Sequence, residues 1–336
     1  MNRRTILRTA IGLAISAFAI WILANSVDIP RAIDVLRTAS PLWILVMVGT
    51  VAVDVAARGA RWRALLAPIR RLPYRRVLGY TYIGYLANNV LPARLGELVR
   101  SHALGEGEGL SRPTILGTVV VERIVDTVIV VVLAAVAVVA LGVGGAMSTA
   151  VALGAAFVGV LIVGLIVVNA ADRLPGTDRV AAMAERFPVV AEPARRLIDG
   201  LAVARRPRTL ASALVLSAAA WTASIATFLF GGEALGVELT PLQAALMSCG
   251  VALVTIVPAA PGYVGTFELT AVEIAALFGV ERESGFAMAL LVHAMILAVT
   301  SVGGAISAWR LGVGLRTGDR DAGPDPEPVR PGPAPG

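Results

Sequence analysis

Gly79-Tyr-Thr-Tyr-Ile-Gly-Tyr-Leu-Ala-Asn-Asn-Val-Leu-Pro-Ala-Arg-Leu-Gly-Glu-Leu-Val-Arg100 begins like a membrane helix and does not finish as one. Its apolar run falls short of the roughly 20 residues that a spanning helix requires. It breaks at Asn88-Asn89 and Pro92, then delivers Arg94, Glu97 and Arg100 in quick succession. Interrupted backbone is tolerated at membrane depth only where protein buries it or it lines a wet cavity. The stretch therefore predicts a re-entrant helical hairpin that supplies half of a polar site.

Composition sets the surroundings of that hairpin. Hydrophobic residues make up 57% of the chain and charged residues only 15%, whereas a soluble domain runs nearer half and a quarter. The chain is read as an all-α polytopic membrane protein. Its pI near 10.3 is no argument for nucleic acid, because cytoplasmic loops of membrane proteins carry excess positive charge. Cys249 is the single cysteine, which excludes a disulfide or a cysteine metal site within one chain. No nucleotide loop, metal-ligand spacing or nucleophile elbow is found. No catalytic residue, metal ligand or cofactor is expected, and the chain is read as a non-enzyme.

Outward from the hairpin, about six apolar runs are long enough to span. Arg3, Arg4 and Arg8 precede the first, Thr9 to Ala24, which reads as a signal anchor with a cytoplasmic N-terminus. A loop from Val27 to Ser40 follows, then a span from Pro41 to Ala57. Arg58, Arg61, Arg63, Arg70, Arg71, Arg75 and Arg76 are read as one basic cytoplasmic loop. Pro113–Leu141 and Met147–Asn169 form a pair of spans. Residues 172–208 form a charged cytoplasmic loop with two amphipathic pieces, Val180/Met183/Phe187 and Leu197/Ile198/Leu201, expected to lie at the interface. Thr209–Phe230 and Gly285–Trp309 complete the set. Residues 1–311 form one integral membrane domain, and the proline-rich residues 312–336 are expected to be a disordered cytoplasmic tail. The protein is expected in the plasma membrane with both termini cytoplasmic.

Between the last two spans lies a second interrupted stretch. Leu242–Val257 breaks at Pro258-Ala-Ala-Pro-Gly-Tyr-Val-Gly265 and resumes at Phe267, with Glu268 beside the break. Loop charge puts both of its ends on the opposite face but does not separate a re-entrant hairpin from two full crossings; run length and the breaks favour the re-entrant reading. Span, broken hairpin and span then occur twice, the second time inverted, as in transporters whose broken helices meet near the midplane. Within the repeats, Pro92-x-x-x-Gly96-Glu97 parallels Pro261-x-x-x-Gly265 with Glu268 three residues on.

The third span adds charge in Val121-Glu-Arg-Ile-Val-Asp126. Glu122 and Asp126 share a helix face, as do Arg123 and Asp126. Ionisable groups at membrane depth cost at least about 2.5–3.5 kcal/mol each, so they face a partner or water. Two readings stay open: a salt-bridge cluster tying this helix to Arg94 and Arg100, or a head-group site. Arginine suits a phosphate because its planar fork donates paired hydrogen bonds. Asp54 and Arg58 read as a structural i,i+4 pair, and His293 as a packing histidine with one hydrogen bond.

Taken together, these residues resemble the lysylphosphatidylglycerol synthase transmembrane, or flippase-like, family. The resemblance rests on Arg58-x-x-Arg61-Trp62-x-x-Leu65-Leu66, on Asn88/Asn89-x-Leu91-Pro92-x-Arg94-x-Gly96-Glu97-x-x-Arg100, on Val121-Glu122-Arg123-x-x-Asp126 and on Pro258-x-x-Pro261-Gly262-x-x-Gly265-x-x-Glu268. It extends nearly to Leu311. It implies movement of a lipid between leaflets, since in the multiple peptide resistance factor such a domain moves aminoacylated phosphatidylglycerol. Relatives in archaea and bacteria accompany glycosyl transfer onto lipids. The soluble aminoacyltransferase domain of full-length synthases has no counterpart here, so aminoacyl-tRNA use is not implied.

The expectation is a lipid translocase for a phospholipid or a polyprenyl-phosphate-linked lipid. Its substrate-binding candidates are Asn89, Arg94, Glu97, Arg100, Glu122, Arg123, Asp126, Pro261, Gly262, Gly265 and Glu268. The alternatives are an intramembrane enzyme acting on a lipid phosphate or glycolipid, and a membrane subunit of a lipid-modifying transferase. Expected partners are a membrane lipid and, for the last alternative, that transferase; no nucleic acid is expected.

Overall fold

The computed structural model describes residues 3–91, 95–170, 188–255 and 259–313. Among them are twelve α-helices and no strand. In order these are α1 (Arg3–Ser26), α2 (Ile29–Arg37), α3 (Pro41–Leu66), α4 (Tyr74–Val90), α5 (Gly96–Glu108), α6 (Arg112–Leu141), α7 (Ala146–Ala170), α8 (Pro188–Leu201), α9 (Pro207–Ala234), α10 (Pro241–Val254), α11 (Thr266–Ala276) and α12 (Arg282–Leu311).

Local sequence explains where these helices start and stop. Proline stands in the first turn of α2, α3, α6, α9 and α10, where its missing N–H costs nothing. Thr240 and Gln243 form a reciprocal capping box on α10, with bonds of 3.3 and 2.8 Å. Gly109, Gly142 and Gly312 close α5, α6 and α12 in the left-handed conformation.

Five helices (α3, α6, α7, α9 and α12) are long and apolar enough to cross a bilayer, and α1 with α2 brings the number to six. The protein is an integral membrane protein. α7 shows this most directly, because no residue of its Ser148–Val167 stretch is buried by protein. So apolar a surface is unstable in water and suits the lipid of a bilayer.

Three sequence expectations are corrected. The loop from Val27 to Ser40 contains α2, bent 86° from α1 and capped by Asp28, which accepts from the Arg31 N–H at 3.2 Å. The basic loop starts later than expected: α3 continues to Leu66 without a breaker, so Arg58, Arg61 and Arg63 are helical. Third, α8 packs along the start of α6, with Gly200 against Thr114 and Gly117 so closely that no Cβ would fit. Its contact face is Leu197, Gly200 and Leu201, while Ile198 points outward. The Val180/Met183/Phe187 piece and the tail from residue 314 lie outside the described residues.

That glycine contact carries a prediction. Gly200→Leu is expected to lift α8 from α6 at a local cost of about 1–3 kcal/mol, the usual range for overpacking. Hydrogen exchange should rise in Pro188–Leu201 while α3 and α9 keep their protection.

The core is built on α3 and α9, which run antiparallel. Ser40 N–H donates to the Ala234 carbonyl at 2.8 Å, the Thr50 and Thr227 hydroxyls meet at 2.9 Å, and Arg61 donates to Ser217 at 2.7 Å. α4 and α5 fold back on each other, Gly84 beside Arg100 and Tyr80 beside Gly107. α10 and α11 do the same, with Gly250 beside Ile274. The first hairpin starts beyond the Leu66 end of α3 and the second beyond the Ala234 end of α9, so they enter from opposite faces. The packing follows the repeat: α3 lies on α4 as α9 on α10, α4 on α12 as α10 on α6, and α5 on α6 as α11 on α12. The hairpins meet tip to tip, Gly262 packing against the Asn89 carbonyl.

Candidate functional site

At this meeting point lies a cavity of about 300 Å³. Its charged lining comes from α3 (Asp54, Arg58), α5 (Glu97, Arg100) and α6 (Arg123, Asp126). Its apolar lining comes from α9 (Phe228), α10 (Val251), α11 (Phe267) and α12 (Ile296, Leu297). The first repeat thus supplies the charge and the second most of the oily wall.

The charges are organised by Glu122, one turn before Asp126 on α6. Glu122 Oε1 accepts from Arg100 at 2.8 Å and Arg123 at 2.6 Å, and Arg61 Nη2 lies 3.0 Å away. Asp126 accepts from Arg61 through both oxygens and from the Trp221 indole N–H at 3.3 Å. Arg123 reaches Asp126 at 3.3 Å. Arg58 donates to Asp54 at 2.8 Å. Two of the guanidinium groups also lie over indole rings, Arg100 at 4.4 Å from Trp62 and Arg58 at 5.2 Å from Trp221, an arrangement that favours arginine over lysine.

Arg58, Arg61, Arg100 and Arg123 face Asp54, Glu97, Glu122 and Asp126, four cations against four anions. Such balance is what burial demands, since an unpaired charge in this setting costs several kcal/mol (about 3–5 when a partner is removed). The network is graded in exposure. Arg61 and Glu122 are enclosed, at 0% and 1%, whereas the Arg123 side chain is 42% exposed and Glu97 22%. Arg123 and Glu97 approach only to 3.9 Å, the loosest pair in the set. The inner members hold the helices together, while at the outer edge Arg123 stays bonded to Glu122 at 2.6 Å and only its pairing with Glu97 is loose.

The sequence-derived candidates fall into three groups. Glu97, Arg100, Arg123, Asp126, Asn89 and Gly262 line the cavity, and Glu122 sits directly behind them. Asn89 also ties α4 to α12, donating to Thr300 and Ser301 at 2.9 Å each. Gly262 needs its φ of +68° to turn the second hairpin. Pro261, Gly265 and Glu268 stand outside the lining. Pro261 opens the tip turn; Gly265 packs against Ser16 and Ile20 of α1. Glu268 is buried behind His293. It does not join the arginine cluster, because its helix enters from the other face. Arg94 lies outside the described residues.

Sequence reading missed Arg61, the most buried member of the network, by placing it in a loop. Asp54, Arg58 and Arg61 stand at helical spacing on one face, a pattern that was available. It also read Asp54 with Arg58 as structural only, although both line the cavity. His293, read as packing, keeps its one hydrogen bond, to Glu268, and lines the cavity as well. Nothing local marks it, since Glu268 is 25 residues away.

Two comparisons bear on this arrangement. The family described as lysylphosphatidylglycerol synthase TM region matches residues 9–304. Glycosyltransferase AglD of Haloferax volcanii is 29% identical over 344 residues, covering 91% of this chain and 55% of the relative. The chain thus spans about half the length of that relative.

Proposed function

Because the chain belongs to the lysylphosphatidylglycerol synthase TM region family, we propose that it moves an anionic lipid, a phospholipid or a polyprenyl-phosphate-linked lipid, between membrane leaflets. One observation carries this reading: a cavity with an arginine-rich wall and an apolar wall lies where two oppositely entering hairpins meet. A phosphate fits the first wall, with Arg123 giving up Glu97 to bind it. The start of an acyl or prenyl chain fits the second. At about 300 Å³ the space is at the small end for ligand sites, so most of the tail stays in the bilayer. The Leu66 end of α3, next to Arg63, Arg70, Arg71, Arg75 and Arg76, is assigned to the cytoplasm of a plasma-membrane protein.

A second reading follows from the similarity to a glycosyltransferase. This chain would then be the membrane partner of a transferase that modifies a lipid. An intramembrane enzyme acting on a lipid phosphate or glycolipid fits less well, because both Asp126 oxygens and Glu122 Oε1 are already engaged by arginines, which holds these two carboxylates as ion-pair partners and suits them poorly to proton transfer.

Reconstitution into liposomes with head-group-labelled lipids tests all three. Wild-type protein should equilibrate label between leaflets. Arg123→Gln should slow the process about tenfold or more, the worth of one charge-assisted bond at about 1.5–3 kcal/mol. Chemically altered lipid would point to the enzyme, and movement only with an added transferase to the subunit. Label that moves equally fast with Arg123→Gln would remove Arg123 from the site.

A further inference from the structure

Opposite the arginine cluster, one ionisable pair remains without a role. Glu268 and His293 are each 4% exposed, and Glu268 Oε1 lies 2.6 Å from His293 Nδ1. The imidazole stacks on Phe267 at 4.1 Å between centroids and lines the cavity. The other carboxylate oxygen accepts the Gly265 N–H at 2.7 Å. Gly265 holds a φ of +89° at the start of α11, and a Cβ there would lie 2.8 Å from the Ser16 carbonyl of α1. The pair therefore joins three things: the cavity, the backbone break of the second hairpin, and the helix that covers that break.

We propose that Glu268 and His293 form a proton-binding dyad that couples proton uptake to head-group binding in the cavity, an inference that rests on the translocation reading above. The pair has two states one proton apart. A neutral imidazole bonded to a carboxylate carries one negative charge, and an imidazolium–carboxylate pair carries none. Because both groups are buried, the charge difference is felt more strongly at the cavity wall than it would be in solvent. An arriving phosphate disfavours the negative state and so draws a proton onto the dyad. By linkage the proton strengthens phosphate binding by the same factor. The proton comes from water on the side where the lipid enters and leaves with it on the other, so a pH gradient would drive the lipid.

The surrounding charges are consistent with this role for the dyad. α3 presents Asp54 and Arg58, already bonded to each other. α4 presents Tyr85, and across the cavity α5 and α6 present the arginine–carboxylate network, which is balanced in charge. α9 and α10 bring no charged side chain to the cavity among the described residues. On α11, Glu273 pairs with Arg282 at 2.9 Å. The charged residues of α2 (Arg31, Asp34 and Arg37) are exposed, and Arg31 pairs with Glu281 at 3.1 Å. The dyad is thus the one cavity-facing acid–base pair among the described residues that no guanidinium holds.

Calorimetry of short-chain phosphatidylglycerol binding to the purified full chain tests the coupling, run in buffers of different ionisation enthalpy. Wild-type protein should take up close to one proton per lipid. Where one proton is taken up per lipid, linkage requires its affinity to fall by about tenfold for each unit that the pH rises. His293→Gln and Glu268→Gln should bind with a flat pH profile and no proton uptake. Zero uptake by wild type, or an unchanged slope in both variants, overturns the proposal. If a variant does not fold, the wild-type proton count still decides. If proton-linked binding is found and liposomes show no lipid movement, translocation fails and the dyad stands. If lipid moves without proton uptake, the dyad fails and translocation stands.

Discussion

Arg61→Ala is expected to cost about 3–5 kcal/mol, the penalty for stranding buried carboxylates without their partner. Arg61 is 0% exposed and reaches Glu122, Asp126 and Ser217 at once. It thereby joins α3 of the first repeat, α6, and α9 of the second. Two carboxylates would be left sharing the remaining arginines in a space that excludes water. Fluorescence-detected size-exclusion chromatography after graded heating should show the loss as a lower midpoint or an aggregated peak. Arg61→Lys should recover less than half of it, because a single ammonium cannot span both carboxylates as a planar fork does. Arg58→Ala should be milder, since Arg58 has Asp54 as its close partner and reaches Asp126 only at 3.5 Å. Equal tolerance of Arg61→Ala and Arg58→Ala would mean that the network is not what holds the two repeats together.

Gly96→Ala is the second large effect. A single methyl at Gly96 would overlap the Gly84 carbonyl and the Asn88 side chain, whose Oδ1 accepts the Gly96 N–H at 2.7 Å. The obstruction includes backbone, so no rotamer change relieves it. Separating α4 from α5 would move Arg100 away from Glu122 and Asn89 away from Gly262. The expected cost is about 1–3 kcal/mol with loss of anionic-lipid binding well beyond the stability loss. Calorimetry against short-chain phosphatidylglycerol, beside a melting curve, separates the two. Full binding by a normally melting Gly96→Ala protein would show that the tight hairpin is not needed for the site.

Much of the architecture is legible along the chain because it depends on near neighbours. Hydropathy marks the spans, and the Pro261–Gly265 segment marks where a helix cannot continue; the break expected at Asn88-Asn89 comes later, since α4 runs through both residues to Val90. Proline and glycine mark the ends. Even the inverted repeat is visible as an order of elements, and the packing of α4 on α12 and α10 on α6 follows it. Among the readings that failed is a local one applied to charges. A run of arginines after an apolar stretch reads as a loop, yet Arg58 and Arg61 continue the helix because no breaker intervenes.

The sequence by itself determined the class, the interrupted hairpins and most of the charged residues at the site. It also determined the family, through motifs spread over most of the chain. Only the tertiary structure decided how those charges pair. Arg61 meets Asp126 from 65 residues away and Ser217 from 156, and Glu268 is directed to His293 instead of the arginines. The physical reason is that a buried charge is placed by whichever opposite charge or dipole the packed helices bring within about 3 Å. That distance is set by two antiparallel helices and two hairpin tips closing on one another, and no periodicity within a single helix encodes it.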